Sequence, residues 1–325
     1  MVTALSFSTG DSLRREGDLP AALTVLMEEA AESGGDPWVL YALAWTANRM
    51  ELPEEAVSPA LAAWRAEPSN PWFLAEYMRA MRAMGMYHEV LSCSVFVRGG
   101  GVCRYYLADC EMDLGSEETP SLDYLVRESS GDDSAAADAC IWLSIVQLGN
   151  DDPQAALSSA SRAVDLVPED AFYRCVLAQR MAEAGSLETS RDILAGLRLE
   201  GETDLSYWQA CAALSSAEGD EDRVIWALRR ARECRRCPGT DRELGWALYF
   251  AGRDALREGD TELCRHRLTE AAVAGDTAEV FVQRADSLLE LLNEFEKGPA
   301  GGSGRNSGPA PGGPLPGKAS LARCR

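Results

Sequence analysis

Asp36-Pro37-Trp38 returns as Asn70-Pro71-Trp72, 34 residues further along the chain. That spacing is the length of one helix–turn–helix unit, which cannot bury its apolar face alone and needs a neighbour of the same kind. With Pro37 as position 1, unit starts fall at Thr3, Pro37, Pro71, Gly101, Ala137, Ala171, Leu205 and Gly245. The gaps between them are 34, 34, 30, 36, 34, 34 and 40 residues. Position 8 reads Gly10, Ala44, Met78, Ala108, Ser144, Ala178, Ala212 and Gly252, small in every unit but one, as a close helix crossing requires. Position 27 is alanine in four units (Ala63, Ala163, Ala231, Ala271), and Pro68 and Pro168 close two units at position 32. A turn glycine is expected at or near position 15, from Gly17, Gly85, Gly115, Gly149, Gly185, Gly219 and Gly259.

The units read as helices on their own chemistry. Leu40, Leu43, Ala44 and Ala47 place apolar side chains at i, i+3, i+4 and i+7, and so do Leu74, Tyr77, Met78 and Met81. Asp36 and Asn70 are good N-cap residues, each followed by a proline suited to the first helical position. Strand-like alternation persists nowhere. The fold class is therefore all-α, an α-solenoid of stacked antiparallel helix hairpins.

This pattern resembles the tetratricopeptide repeat family, whose unit has small residues at positions 8, 20 and 27, a large residue near 4 and a proline at 32. The closest match runs from Asn150-Asp151-Asp152-Pro153 through Ala156 at position 20 and Ala163 to Pro168, and the resemblance covers about residues 3–276. The fourth unit departs from it, with Pro120 at position 20, Arg127 at position 27 and an entry through Gly99-Gly100-Gly101. A kink near 98–101 is expected there. The expected layout is a repeat array over 1–276, a C-terminal capping helix over 277–297 and a disordered tail over 298–325. Val280, Phe281, Ala285, Leu288, Leu289 and Leu292 supply the apolar stripe of the cap. The tail has eight Gly, five Pro and four basic residues without an acid, a composition that builds no core.

Net charge is −21, and the basic tail leaves the remainder more acidic still. Phosphate backbones need a basic face, so nucleic acid is not an expected partner. No apolar run approaches the ~20 residues of a membrane span, and the N-terminus lacks the pattern of a signal peptide. The expected compartment is cytoplasmic, with no membrane partner. Acids recur at the turn into the second helix: Glu51, Glu54 and Glu55; Glu117 and Glu118; Asp151 and Asp152; Asp220, Glu221 and Asp222; Asp260 and Glu262. They favour the helix dipole by roughly 0.3–1 kcal/mol each; an acidic ridge for a basic partner is the other reading.

Catalytic chemistry has little to draw on. The two histidines, His88 and His266, stand in no recognisable motif, and Gly99-Gly100-Gly101 lacks the residues that follow in a phosphate loop. No enzyme activity and no cofactor is expected. Cys93, Cys140, Cys175 and Cys211 fall within helices as small core residues. Cys234-Arg235-Arg236-Cys237, with Cys264 and His266 further on, has the residue types of a zinc site. The repeat sets Cys234 and Cys264 at unlike ends of second helices, so free thiols are the favoured reading and no metal is expected.

By the resemblance, first helices line a concave face at positions 2, 5, 6, 9, 12 and 13. On this chain the frame selects Trp38, Tyr41, Trp45, Asn48 and Arg49; Trp72, Glu76, Arg79 and Arg82; and Tyr105, Tyr106 and Asp109. Trp246, Tyr249 and Arg253 follow in unit eight, whereas units five to seven are blander. Aromatics and arginines are the composition of interface hot spots, although large aromatics also fill gaps between hairpins. Arg79 and Arg82 share a helix face and present forks suited to a carboxylate. Position 5 is Tyr41, Ala75 and Tyr105, so the family's set for a C-terminal carboxylate is not reproduced. The expectation is a non-enzymatic scaffold binding a peptide or protein segment; the alternative is a regulatory or sensor module for a small ligand or peptide. Self-association through exposed array ends stays open.

Overall fold

The computed structural model describes residues 8–97, 101–116, 119–201, 204–274 and 280–297. The Gly99-Gly100 entry, Glu117 and Glu118, and the tail from 298 lie outside the described residues. The chain divides into two compact units at Pro238.

The first unit holds helices paired as hairpins: α1 (Thr9–Arg15) with α2 (Leu19–Glu32), α3 (Pro37–Arg49) with α4 (Pro53–Ala66), and α5 (Pro71–Ala83) with α6 (Tyr87–Ser92). Then come α7 (Gly101–Asp113) with α8 (Pro120–Glu128), and α9 (Ser134–Gly149) with α10 (Pro153–Leu166). The last two pairs are α11 (Ala171–Glu183) with α12 (Leu187–Gly201), and α13 (Leu205–Glu218) with α14 (Glu221–Cys234). First helices also stack on first helices, α3 on α5, α5 on α7, α7 on α9 and α11 on α13. The fold is all-α: among the described residues the only strand-like contact is an isolated bridge between Asp18 and Arg236.

The repeat frame maps onto this packing. Position 8 is buried in every unit, from Gly10 to Gly252. Position 20 is buried at Ala22, Ala56, Val90, Ala156, Ser190, Val224 and Cys264, and position 27 at Ala63, Val97, Ala163, Leu197, Ala231 and Ala271. These are the sites where the two helices of a hairpin cross, and a larger side chain would push them apart.

Position 15 has one conformation throughout. Gly17, Glu51, Gly85, Gly115, Asp151, Gly185, Gly219 and Gly259 all lie at positive φ, between 58° and 87°. The chain must reverse there within a few residues, and the left-handed region does so. In the fifth unit this corrects the expectation of Gly149: that residue ends α9, and Asp151 takes the left-handed position. Glu51 and Asp151 therefore hold a conformation that a Cβ disfavours.

Cap chemistry explains where the helices start. Asp36 accepts from the amides of Trp38 and Val39, and Asn70 from that of Trp72. Asp152 and Asp220 cap α10 and α14, while Glu54 and Glu55 stand in the first turn of α4. Several of the turn acids thus have a local structural task. The third hairpin is short on its second side, where α6 gives way to a 3-10 turn over Cys93–Phe96. In the fourth, Pro120 begins α8 instead of interrupting it, and that helix has only nine residues.

The second unit comprises α15 (Pro238–Glu258), which begins at the boundary, α16 (Thr261–Ala274) and α17 (Val280–Lys297). Gly245 lets Phe281 sit so close that an added Cβ would meet its ring at 2.1 Å. Trp246 stacks on Phe250 and tilts against Phe281, and Arg284 lies over its ring. Tyr249 is buried beside them. The aromatics that the frame placed on a binding face in unit eight are here packing residues. Among the described residues no helix is long and apolar enough to cross a membrane.

Candidate binding face

Helix α3 sets Tyr41, Trp45 and Arg49 four residues apart, and therefore on one face. Trp45 is the centre of the arrangement. The guanidinium carbons of Arg14, Arg49 and Arg235 stand 4.7, 5.1 and 5.1 Å from the centroid of its ring. Arg14 comes from the end of α1, Arg49 from the end of α3, and Arg235 from the residue that follows α14.

Residues 14 and 235 meet because the two ends of the first unit touch. The Arg236 amide donates to the Gly17 carbonyl at 3.4 Å, and Asp18 bridges to Arg236. Gly17, at φ +87°, comes so near the end of α14 that an added Cβ would lie 2.2 Å from the Cys234 carbonyl oxygen. The turn of the first hairpin is thus in backbone contact with the end of the seventh. That contact carries Arg235 to the inner face of α3.

The neighbouring carboxylates are already committed. Asp11 accepts from Arg14 at 2.6 and 2.9 Å and from Arg15 at 2.8 Å. Glu76 is buried and accepts from the Asn48 side-chain amide at 2.8 Å; the same amide reaches the Glu76 carbonyl oxygen at 3.0 Å. The frame had placed Asn48 and Glu76 on the open face, but they form a buried interhelical pair between α3 and α5. Arg49 and Arg79 make no ion pair among the described residues, and the Nε of Arg49 is buried with no hydrogen-bond partner.

Charge follows from this. Burial pushes the Arg49 guanidinium down to about 10, and Arg79 and Arg235 push it the same way against the pull of Glu76. Burial also lowers Arg235, with Arg14 and Arg79 adding to the effect while Cys237 and Asp204 oppose it. Tyr41 is pushed up to about 12, by burial first and Glu76 second. Tyr106, within electrostatic reach of Arg79, Glu76 and Arg49, is raised by burial. The face is cationic and walled by aromatic rings, in a protein whose net charge is −21.

The other residues selected from sequence go elsewhere. Arg82 forms an ion pair with Asp109 and lies 3.4 Å from Asp113, so it does not act beside Arg79 as a free fork. Tyr105 stacks on Trp142 at 5.0 Å. Trp38 is half exposed and stands edge-on to Phe73 and Tyr41. Trp72 is 52% exposed. Tyr41, Trp45, Arg49, Arg79 and Tyr106 gather together. Arg14 and Arg235 complete the group and were not selected from sequence.

Among the described residues no three His, Cys, Asp or Glu side chains are grouped to hold a metal ion. Among the described residues neither Cys234 nor Cys237 forms a disulfide.

No protein-family model matches the chain, and no curated protein matches it. Solved structures of similar arrangement exist. A tetratricopeptide repeat protein from Parabacteroides merdae is 16% identical, with 79% of this chain and 98% of that one covered and a TM-score of 0.47. The Cut9–Hcn1 hetero-tetramer of the APC/C is 11% identical, with 87% and 54% covered and a TM-score of 0.46. Yeast Tom70 is 10% identical, with 91% and 66% covered and a TM-score of 0.41. The 34-residue frame, its hairpins and its small residues at positions 8, 20 and 27 make this chain's own fold tetratricopeptide-like.

Proposed function

We propose that the first unit is a non-enzymatic scaffold that holds a peptide or protein segment against the inner face of its first helices. The observation that carries this reading is the gathering of Tyr41, Trp45, Arg49, Arg79 and Tyr106 on that face. Aromatic rings give large contact area for few rotatable bonds, guanidinium groups add forked hydrogen-bond donors, and Trp, Tyr and Arg are the residues enriched at interface hot spots. The helices beneath are fixed by buried small residues, so the face is preorganised and loses little freedom on binding.

The test is capture from native lysate by the full chain, beside an Arg49→Glu/Arg79→Glu variant whose helicity is checked by circular dichroism. A discrete partner held by the wild type and lost by the variant supports the reading. Equal capture by both proteins moves the binding surface elsewhere, and no capture above a bare-resin control removes the reading.

A further inference from the structure

Cys234-Arg235-Arg236-Cys237 is a motif that the scaffold reading leaves unused. Its two arginines make the contact between the ends of the first unit. Arg235 stands over the Trp45 ring at 5.1 Å, while Arg236 bridges to Asp18 and donates to the Gly17 carbonyl at 3.4 Å. Its two cysteines flank that contact. Cys234 is the last residue of α14, and Cys237 directly precedes Pro238, the first of α15. Contact and thiol pair therefore share the same four residues.

The conformation that makes the contact holds the two sulfurs apart. Arg235 is extended, at φ −156° and ψ 110°, and Arg236 lies in a β-bridge. Three steps of extended chain span about 10 Å. The Cα atoms of a disulfide stand no more than about 7 Å apart. Joining Cys234 to Cys237 thus requires Arg235 and Arg236 to fold into a turn. That turn withdraws Arg236 from Gly17 and Arg235 from Trp45. The backbone part of the contact is of a kind that opens readily, since its hydrogen bond is long and its bridge is isolated from any ladder.

We propose that Cys234 and Cys237 form a redox switch on this contact, closed as the dithiol and open as the disulfide. The oxidant is a low-molecular-weight disulfide. The Cys234 thiol gives its proton to solvent, and its thiolate attacks one sulfur of the oxidant. That S–S bond breaks and one small thiolate leaves. The Cys237 thiolate then attacks the Cys234 sulfur, the protein disulfide forms, and the second small thiolate leaves. Two protein thiols are oxidised and one small disulfide is reduced to two thiols. Cys234, half-buried, meets the oxidant first, and buried Cys237 resolves the mixed disulfide. The closed form resists the first step: burial pushes the Cys234 thiol up against the pull of Arg230 and Arg235, and only the thiolate attacks. Closure and oxidation exclude each other, so each disfavours the other by the same factor. The switch stands on the contact itself; its effect on a bound segment, through the removal of Arg235 from the face, rests on the reading of that face as the binding surface.

The experiment equilibrates the full chain in glutathione buffers of increasing oxidised share. The mixture is quenched with acid, and the Cys234–Cys237 disulfide is quantified by mass spectrometry on the peptic peptide that holds both residues. Trp45→Leu removes the ring beneath Arg235 and keeps apolar bulk. It is expected to form the disulfide at a glutathione ratio at least three-fold less oxidising than the wild type needs. In the wild type, oxidation is expected to speed amide hydrogen exchange over residues 15–19, a rise that Cys237→Ser abolishes. Circular dichroism establishes that each variant folds, and the wild-type exchange decides the matter should Trp45→Leu fail to. Absence of the Cys234–Cys237 disulfide at the most oxidising ratio overturns the proposal. So does a midpoint that folded Trp45→Leu leaves unchanged, or a disulfide that forms without altering exchange over 15–19. A chain that captures a partner but forms no such disulfide keeps the scaffold and loses the switch; one that switches but captures nothing keeps the switch and loses the scaffold.

Discussion

Arg49 and Arg82 occupy neighbouring places in the repeat, position 13 of one unit and position 12 of the next, and meet opposite surroundings. Burial alone would lower the pKa of both. Around Arg82 that effect is outweighed by Asp109, Tyr105 and Asp113, and its guanidinium is raised. Around Arg49 burial is reinforced by Arg79 and Arg235, and its guanidinium falls to about 10. The first is a cation that the fold has neutralised. The second is a cation that the fold holds in place at a cost to itself. Residue type and repeat position are nearly alike, so the neighbours decide which arginine is neutralised by an ion pair and which one is not. Proteins retain locally unfavourable groups where function requires them.

The comparison breaks most completely at Gly17. Gly17→Val forces a β-branched residue to positive φ and drives its Cβ into the Cys234 carbonyl. A loss of about 3 kcal/mol in chemical denaturation is expected, from backbone strain plus overpacking. The approach of Arg235 to the Trp45 ring is lost with it. Next in size is Arg82→Met, which leaves Asp109 buried without its partner. Arg82 is a third exposed, so the cost is discounted to about 1–2 kcal/mol. Arg49→Met keeps bulk beside Trp45 while removing an unmatched charge, and a gain of about 1 kcal/mol is expected. The smallest effect lies outside both clusters. Glu51→Gly and Asp151→Gly relieve left-handed strain and are each expected to gain about 0.5 kcal/mol, read by the shift in denaturation midpoint.

Much of this fold is legible in the sequence. The 34-residue period, the caps at Asp36 and Asn70, and the small residues at position 8 are local features, and local features fix where helices start, turn and cross. The left-handed turn was only partly legible, because glycine marks it in six units while Glu51 and Asp151 adopt it without one. Most of the candidate face was legible, through Tyr41, Trp45, Arg49, Arg79 and Tyr106. Arg14 and Arg235 were not, because their meeting depends on rotation accumulated over seven hairpins, which no single unit records. Nor did the sequence separate Arg79 from Arg82. Both lie on one helix face, and only the approach of Asp109 from α7 commits Arg82 to an internal pair.

The most direct test is the thermal midpoint of Arg49→Met and Arg82→Met, measured side by side with wild type. At ~2–4 °C per kcal/mol for a domain of this size, midpoints are expected to move in opposite directions, up for Arg49→Met and down for Arg82→Met. A fall of similar size in both would contradict the distinction and make Arg49 one more structural residue of the array.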